Sequence, residues 1–323
     1  MSNASNSSND VATTLPEQAP AVSFSAFGGP EVLQLADAAV PRPGAGQVLL
    51  EVRSAGVNPV DWKIRRGYLA EVFPVAFPHV PGLEAAGTVV ATGPGVTAWA
   101  VGDAVFGPVP NSYAAYALAD ADRLAAVPAG LELEAAGGLP VAAEAAYRAL
   151  ESVKATAGET VLVHGAAGAV GILAVQLATA DGIRVVGTAS EPNHDFLRSI
   201  GAVPVSYGEG VFDRVRAAAP QGVDAVLDLG GGGVLAGSVD LVGGAARVVS
   251  LVDPAEAGPL GVRFSSGGPE EDRSPEALAR VARLVAAGTL ELPIRAALPL
   301  AQADEAQRLS EDGHGLGKIV LLP

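Results

Sequence analysis

The chain contains no cysteine. That absence removes disulfides, thiolate nucleophiles and cysteine-bound zinc together. Histidine is scarce too: the four stand at positions 79, 164, 194 and 314, without the spacing of a metal site. Charge is sparse, at 17% of residues, and lopsided, with a net charge of −15. Such a chain repels nucleic-acid phosphates and anionic membrane surfaces, so neither is an expected partner. No apolar run reaches the length of a membrane span. Met1 to Asp10 is rich in Ser and Asn and lacks the apolar core of a signal peptide. Residues 1–19 therefore read as a disordered tail, and the cytoplasm is the expected location.

What is present is apolar. The 323 residues are 49% hydrophobic, enough for large cores and, at this length, for two domains. From Ala21 to about Val127 the chain shows short segments rich in β-branched residues, such as 47–53 and 86–92. Gly/Pro turns divide them, which suggests a barrel-like β domain. A helical pattern runs from about Glu132 through Glu151. After Thr160 strands and helices alternate: strand 161–164, helix 169–180, strand 183–188, helix 192–200, and so on to strand 246–251. Alternation of this kind means βαβ units and a parallel sheet. An amphipathic helix is expected from Ser274 to Ala287 and a last strand over 318–322.

The strongest motif is Val161-Leu-Val-His-Gly-Ala-Ala-Gly-Ala-Val-Gly-Ile172. A buried strand enters a turn of small residues that opens into a helix. Ala166, Gly168 and Gly171 stand at the spacing of the dinucleotide fingerprint, with alanine in the first glycine position. Small residues let the backbone approach a pyrophosphate, and the helix N-terminus offers free N–H groups. The motif's place between strand and helix gives it weight that a bare glycine pattern lacks.

Together with Ala55-Gly-Val-Asn-Pro-Val-Asp-Trp-Lys63, Pro81-Gly-Leu-Glu-Ala-Ala-Gly87, Val101-Gly-Asp-Ala-Val105 and Gly317-Lys-Ile-Val-Leu321, this loop makes the chain resemble a known family. It resembles the medium-chain dehydrogenase/reductase superfamily, and within it the zinc-free quinone-oxidoreductase (ζ-crystallin-like) branch. The resemblance covers nearly all of the chain after the tail. It implies an α/β protein in two parts. Residues 20–149 and 291–323 would form a GroES-like β-barrel catalytic domain. Residues 150–290 would form a Rossmann doubly wound parallel-sheet cofactor domain, with the active site between the two. It also implies a homodimer. Zinc-dependent members carry a cysteine ligand where this chain has Asn58 and a histidine ligand where it has Leu83, so no metal is expected. Without that Lewis acid, reduction of an activated acceptor is favoured over alcohol oxidation.

The catalytic candidates are Asn58, Tyr68 and Glu144. The resemblance places Asn58 and Asp61 along the cleft, while the residues alone read as a turn cap and a helix start. Tyr68 is either a hydrogen-bond or proton donor to an enolate, or an aromatic of a surface loop. Glu144, in Leu139-Pro-Val-Ala-Ala-Glu-Ala-Ala-Tyr147, stands where relatives carry a small residue or threonine facing the nicotinamide. It is expected at the cofactor or substrate pocket, with a helix-surface ion pair as the alternative. The cofactor candidates are Ala166, Gly168, Ala169 and Val170 in the loop, Gly187, Ser190 and Asn193 after the second strand, and Tyr207. Leu229, Gly230 and Leu251 follow at later strand ends, with Phe264 and Lys318 as weaker members. His164 reads as a core histidine. The second strand ends in Gly187-Thr-Ala-Ser190, without the carboxylate that would bond a ribose hydroxyl and repel a 2′-phosphate. NADPH is therefore the expected cofactor, although Pro192 stands where relatives often have a basic residue. The expected reaction is hydride transfer to a small molecule, a quinone or an α,β-unsaturated carbonyl. The alternatives are a pathway-specific enoyl or alkene reductase of bacterial secondary metabolism and a non-catalytic NADPH-binding protein.

Overall fold

The computed structural model describes residues 15–313 and 315–323. Most of the expected tail lies outside the described residues, but its last part is folded. Strand β1 (Gln18–Ser23) pairs antiparallel with β2 (Gln34–Ala39), with Gln18 opposite Ala39. The tail thus ends earlier than residue 19. Ala19 and Ala21 alternate inward, a period-2 signal that small side chains make faint.

The long strand β3 (Gln47–Val57) is the centre of the first large sheet. It leads into the short helix α1 (Pro59–Arg65) and then β4 (Glu84–Thr92), which returns antiparallel along it. Strands β5 (Ala104–Pro108), β6 (Tyr116–Asp120) and β7 (Ala125–Ala126) complete this part. The single helical stretch expected from Glu132 is in fact two helices, α2 (Leu133–Ala136) and α3 (Pro140–Val153). A Cβ at Gly137 would meet the Ser54 backbone oxygen at 2.4 Å. That close approach to β3 breaks the helix, and Pro140 starts the next one.

Next comes the parallel sheet. Its elements are β8 (Thr160–His164), α4 (Ala169–Ala180), β9 (Arg184–Ala189), α5 (His194–Ser199), β10 (Ala202–Ser206) and α6 (Val211–Ala218). They continue with β11 (Ala225–Asp228), α7 (Leu235–Val242), β12 (Val248–Ser250), α8 (Pro254–Ala257), β13 (Arg263–Phe264) and α9 (Ser274–Ala286). All pairings are parallel, in the order β10-β9-β8-β11-β12-β13. Such a sheet is covered on both faces, which explains why Val161, Leu162 and Val163 are consecutive apolar residues, all fully buried. The order reverses beside β8, and a doubly wound sheet binds its ligand at that switch point.

The chain then returns to the first sheet through β14 (Ile294–Pro299), α10 (Ala303–Glu311) and β15 (Lys318–Leu322). Strand β15 pairs antiparallel with β3, so the barrel is built from both ends of the chain.

The cofactor loop depends on glycine where α4 leaves it. A Cβ on Gly171 would lie 2.3 Å from the Gly165 oxygen and 2.6 Å from the Ala166 Cα. Both neighbours are backbone and cannot rotate away. Gly171→Ala is expected to cost about 1–3 kcal/mol, read as a lower urea midpoint at unchanged slope.

Candidate active site

The loop after β8 is a cradle without side chains. Gly165, at φ +75°, packs its Cα side against Gly230, where an added Cβ would meet the Gly230 Cα at 3.0 Å. A Cβ on Gly187 would touch the Ala166 Cβ at 2.7 Å. Gly168 caps α4, followed by Ala169 and Val170 in its first turn. The strand ends on either side converge here. Ser190 and Tyr207 directly follow the paired strand ends Ala189 and Ser206. The Asn193 amide donates to the Ser190 hydroxyl at 3.1 Å. Tyr207 is exposed, and the Arg214 guanidinium braces its turn by donating to the carbonyls of residues 206–209.

On the other side, Asp228 is fully buried. Its carboxylate accepts from the N–H groups of Gly230 and Gly231 and from the Ser250 hydroxyl, fixing the turn that carries Leu229 and Gly230. Leu251 follows, its N–H donating to the Asp228 backbone carbonyl, and Phe264 is part-exposed at the sheet edge. His164 sits 2% exposed between Ser238 and Thr188, and burial pushes its imidazole down to about 4. It is a neutral core histidine.

The barrel contributes a second, buried cluster. Asn58 caps α1, but its side chain turns inward. Its amide N–H donates to Glu84 Oε1 at 2.7 Å, and its oxygen accepts from Lys318 Nζ at 2.6 Å. Lys318 also pairs with Glu84 Oε1 at 2.7 Å. The other Glu84 oxygen accepts from the N–H of Val141, at the start of α3, at 2.7 Å. Lys318, expected as a weaker cofactor contact, stands in this barrel cluster. Its ammonium is 3% exposed and held by two barrel partners, Asn58 and Glu84. Sequence reasoning gave no role to Glu84; its place directly after Leu83, beside the lost metal position, was the available signal. One backbone bond joins this cluster to the cofactor loop, since Gly317, next to Lys318, donates its N–H to the Ala167 oxygen at 3.1 Å.

Three residues beyond Asn58, Asp61 lines a cavity of about 250 Å³ together with Ile64, Val72, Phe73, Leu83 and Pro110. Tyr68 is not among its lining residues. It is 68% exposed and meets the Trp62 ring edge-on at 6.2 Å. A larger cavity, about 550 Å³, lies beneath the β1–β2 ribbon and shares only His79, Pro110 and Asn111 with the first. None of its lining residues belongs to the cofactor loop or to the Asn58 cluster. The smaller, better connected cavity is the acceptor candidate.

Glu144 forms the ion pair that was the alternative expected for it. Its carboxylate pairs with Arg148 at 2.7 Å, one helical turn on, and both side chains are largely buried. Arg148 in turn donates to Ser265, and Ser265 donates to Glu271. The i,i+4 spacing with arginine captured the carboxylate. It anchors the 265–271 segment to α3 and is not presented as a free carboxylate to a ligand.

A β-barrel closed by both chain ends and a parallel dinucleotide-type sheet, joined through a shared apolar core, define a two-part dehydrogenase or reductase. Residues 44–156 match the family model of the alcohol dehydrogenase GroES-like domain, and residues 201–321 match that of zinc-binding dehydrogenase. A quinone oxidoreductase of Lama guanicoe is 35% identical over 323 residues, covering 94% of this chain and 97% of that protein. The quinone oxidoreductase from Coxiella burnetii has a TM-score of 0.82 at 32% identity, covering 95% of this chain and 99% of that one. A mycobacterial structure complexed with NADPH has a TM-score of 0.81 at 30% identity, covering 94% and 100%. The erythronolide synthase EryA2 of Saccharopolyspora erythraea is 35% identical over 289 residues, which span 86% of this chain but 8% of that protein. The chain belongs to the quinone oxidoreductases of the medium-chain dehydrogenase/reductase superfamily. Although one family model is named for zinc, no three His, Asp or Glu side chains gather as metal ligands among the described residues.

Lys318→Met leaves Glu84 charged and buried without its cation. It is expected to lower stability by about 3–5 kcal/mol, measured by urea unfolding, with partial recovery in the Glu84→Gln/Lys318→Met double variant.

Proposed function

We propose that this chain is a zinc-independent NADPH-dependent reductase acting on electron-poor acceptors, either quinones or α,β-unsaturated carbonyls. The observation that carries the reading is the acceptor cavity. It is walled by apolar side chains, and leucine and asparagine occupy the two positions where the resemblance puts metal ligands.

The crowding at Gly165, Gly171 and Gly187 fits a cofactor whose pyrophosphate needs backbone and no side chain. Gly168, Ala169 and Val170 would face that pyrophosphate. Ser190, Asn193 and Tyr207 would surround a 2′-phosphate, with no carboxylate at the β9 end to repel it. Leu229, Gly230, Leu251 and Phe264 would line the other half. When bound, NADPH supplies the hydride. The protein orients the acceptor, keeps water out of the apolar cavity and stabilises charge that develops on the acceptor oxygen. Asn58 is the fixed amide nearest that task. Its oxygen faces the Lys318 ammonium, which sets the direction of its N–H donors.

A second reading is favoured by the similarity to a segment of erythronolide synthase: reduction of an unsaturated intermediate of secondary metabolism by the same site. We further infer a homodimer assembled on the parallel sheet, in keeping with the exposed edge strand β13. We also infer a cytoplasmic enzyme. Among the described residues no helix is long and apolar enough to cross a membrane. Light scattering tests the dimer.

Absorbance at 340 nm with a panel of quinones and enones is the direct test. NADPH consumption is expected with members of the panel and should survive exhaustive dialysis against a chelator. NADPH binding without turnover of any acceptor would leave only a binding protein. Ser190→Asp should raise the KM for NADPH at least about tenfold while that for NADH falls or holds, since a carboxylate there repels the phosphate and accepts from a ribose hydroxyl.

A further inference from the structure

The acceptor cavity is apolar around Ile64, Val72, Phe73, Leu83 and Pro110, and Asp61 is the carboxyl group among its lining residues. Asp61 is 1% exposed. Its two oxygens differ. Oδ2 accepts from the Asn58 N–H at 2.8 Å and from the Tyr113 hydroxyl at 3.0 Å. Oδ1 has no hydrogen-bond partner. A proton placed on Oδ2 would compete with two existing bonds, whereas a proton on Oδ1 disturbs neither. A buried polar atom without a partner carries a desolvation cost that a ligand in the cavity would relieve.

We propose that Asp61 is the acid of this site, donating the proton on Oδ1 to the acceptor's oxygen as hydride reaches the acceptor; the inference rests on the reductase reading above. With an enone, hydride forms the new C–H bond at the β-carbon and the π electrons move to the carbonyl oxygen. The Asp61 O–H breaks as the enol O–H forms. With a quinone, hydride and this proton together give the hydroquinone. NADPH is oxidised by two electrons, the acceptor is reduced by two, and the carboxylate left on Asp61 regains its proton from solvent between turnovers.

The surroundings keep a substantial share of the acid form near neutral pH. Burial raises the Asp61 carboxyl to about 7 against the pull of the Asn58 N–H, the Tyr113 hydroxyl and the Lys318 ammonium, while Glu84 adds to the rise. His79, on the same cavity, is pushed below its ordinary value by burial and brings no cation at neutral pH. Arg65, on the same helix, is directed to Glu311. The acid is therefore present below about pH 7 and lost above it.

Asp61→Asn keeps the size and one acceptor oxygen but has no acidic proton. The expected result is a hydride-transfer rate in single turnover lower by about a hundredfold, with NADPH affinity by tryptophan fluorescence unchanged. The native rate should fall on the alkaline side of about pH 7, and that limb should vanish in the variant. Tyr113→Phe removes a donor that favours the carboxylate, so its limb should move to higher pH. Carbon-13 titration of labelled aspartate in the cofactor-free protein should show one carboxyl far above the ordinary range. Native rate and limb in Asp61→Asn, an unmoved limb in Tyr113→Phe, or an ordinary Asp61 titration each overturns the proposal. Should Asp61→Asn fail to fold, the Tyr113→Phe limb and the titration decide. Native protein that turns over no acceptor at all sinks the reductase reading instead.

Discussion

The buried contact between Lys318 and Glu84 is the constraint on which the rest of the architecture depends. Lys318 opens the last strand, and Glu84 opens β4. Their union closes the barrel across more than two hundred residues of intervening chain, through a carboxylate whose other oxygen holds the first turn of α3. A buried ion pair is weak evidence for net stability, because desolvation offsets much of the attraction. Its value here is geometric. It permits one arrangement of three elements that would otherwise meet only through apolar contacts, and those tolerate sliding. A charged pair in a low-dielectric interior does not tolerate it, since an ångström of separation leaves both charges unsolvated.

The same contact ties the barrel to the cofactor loop. Gly317 precedes Lys318 and bonds to Ala167, so the end of the chain is pinned on one side by the ion pair and on the other by the loop. These two short-range interactions, one residue apart, add polar fixed points to the apolar core that the barrel residues Ala86 and Phe106 share with α3 and the parallel sheet. On the sheet side, close backbone packing does the work. Gly165 against Gly230, and Gly171 against Gly165, bring the ends of β8 and β11 together at the switch point.

Much of this was legible in the sequence, and for a definite reason. The parallel sheet is read from runs such as Val161-Leu-Val163, whose consecutive apolar residues need two covered faces, and α4 was expected over the residues where it stands. The β1 strand was hidden because Ala19 and Ala21 carry too little apolar surface to mark a period. The partners of Glu144 and Lys318 were hidden for another reason. The destination of a long charged side chain is decided by its partner, and the partners, Arg148 on the same helix and Glu84 far away in sequence, are not ranked by any local pattern. Asp61 was legible as a helix start that the resemblance places along the cleft, but not as an acid. The pairing of Tyr113 with one of its oxygens, which leaves the other bare, exists only in the folded chain.

On the proposed zinc-independent reading, the residues at the metal positions have a consequence for chemistry that follows from charge alone. A zinc ion would place two positive charges beside the acceptor oxygen. Here the nearest cation, Lys318, is neutralised by Glu84 at 2.7 Å, so the cluster presents the cleft with dipoles instead of net charge. The second N–H of the Asn58 amide and the proposed Asp61 acid can stabilise a developing oxyanion by hydrogen bonds, each worth a fraction of what a divalent ion supplies. On the same reading, that shortfall selects the acceptor. A simple ketone, which concentrates the full negative charge on one oxygen, gains too little. A quinone or an enone spreads the incoming electron pair over a conjugated system and needs only the modest help that this site offers.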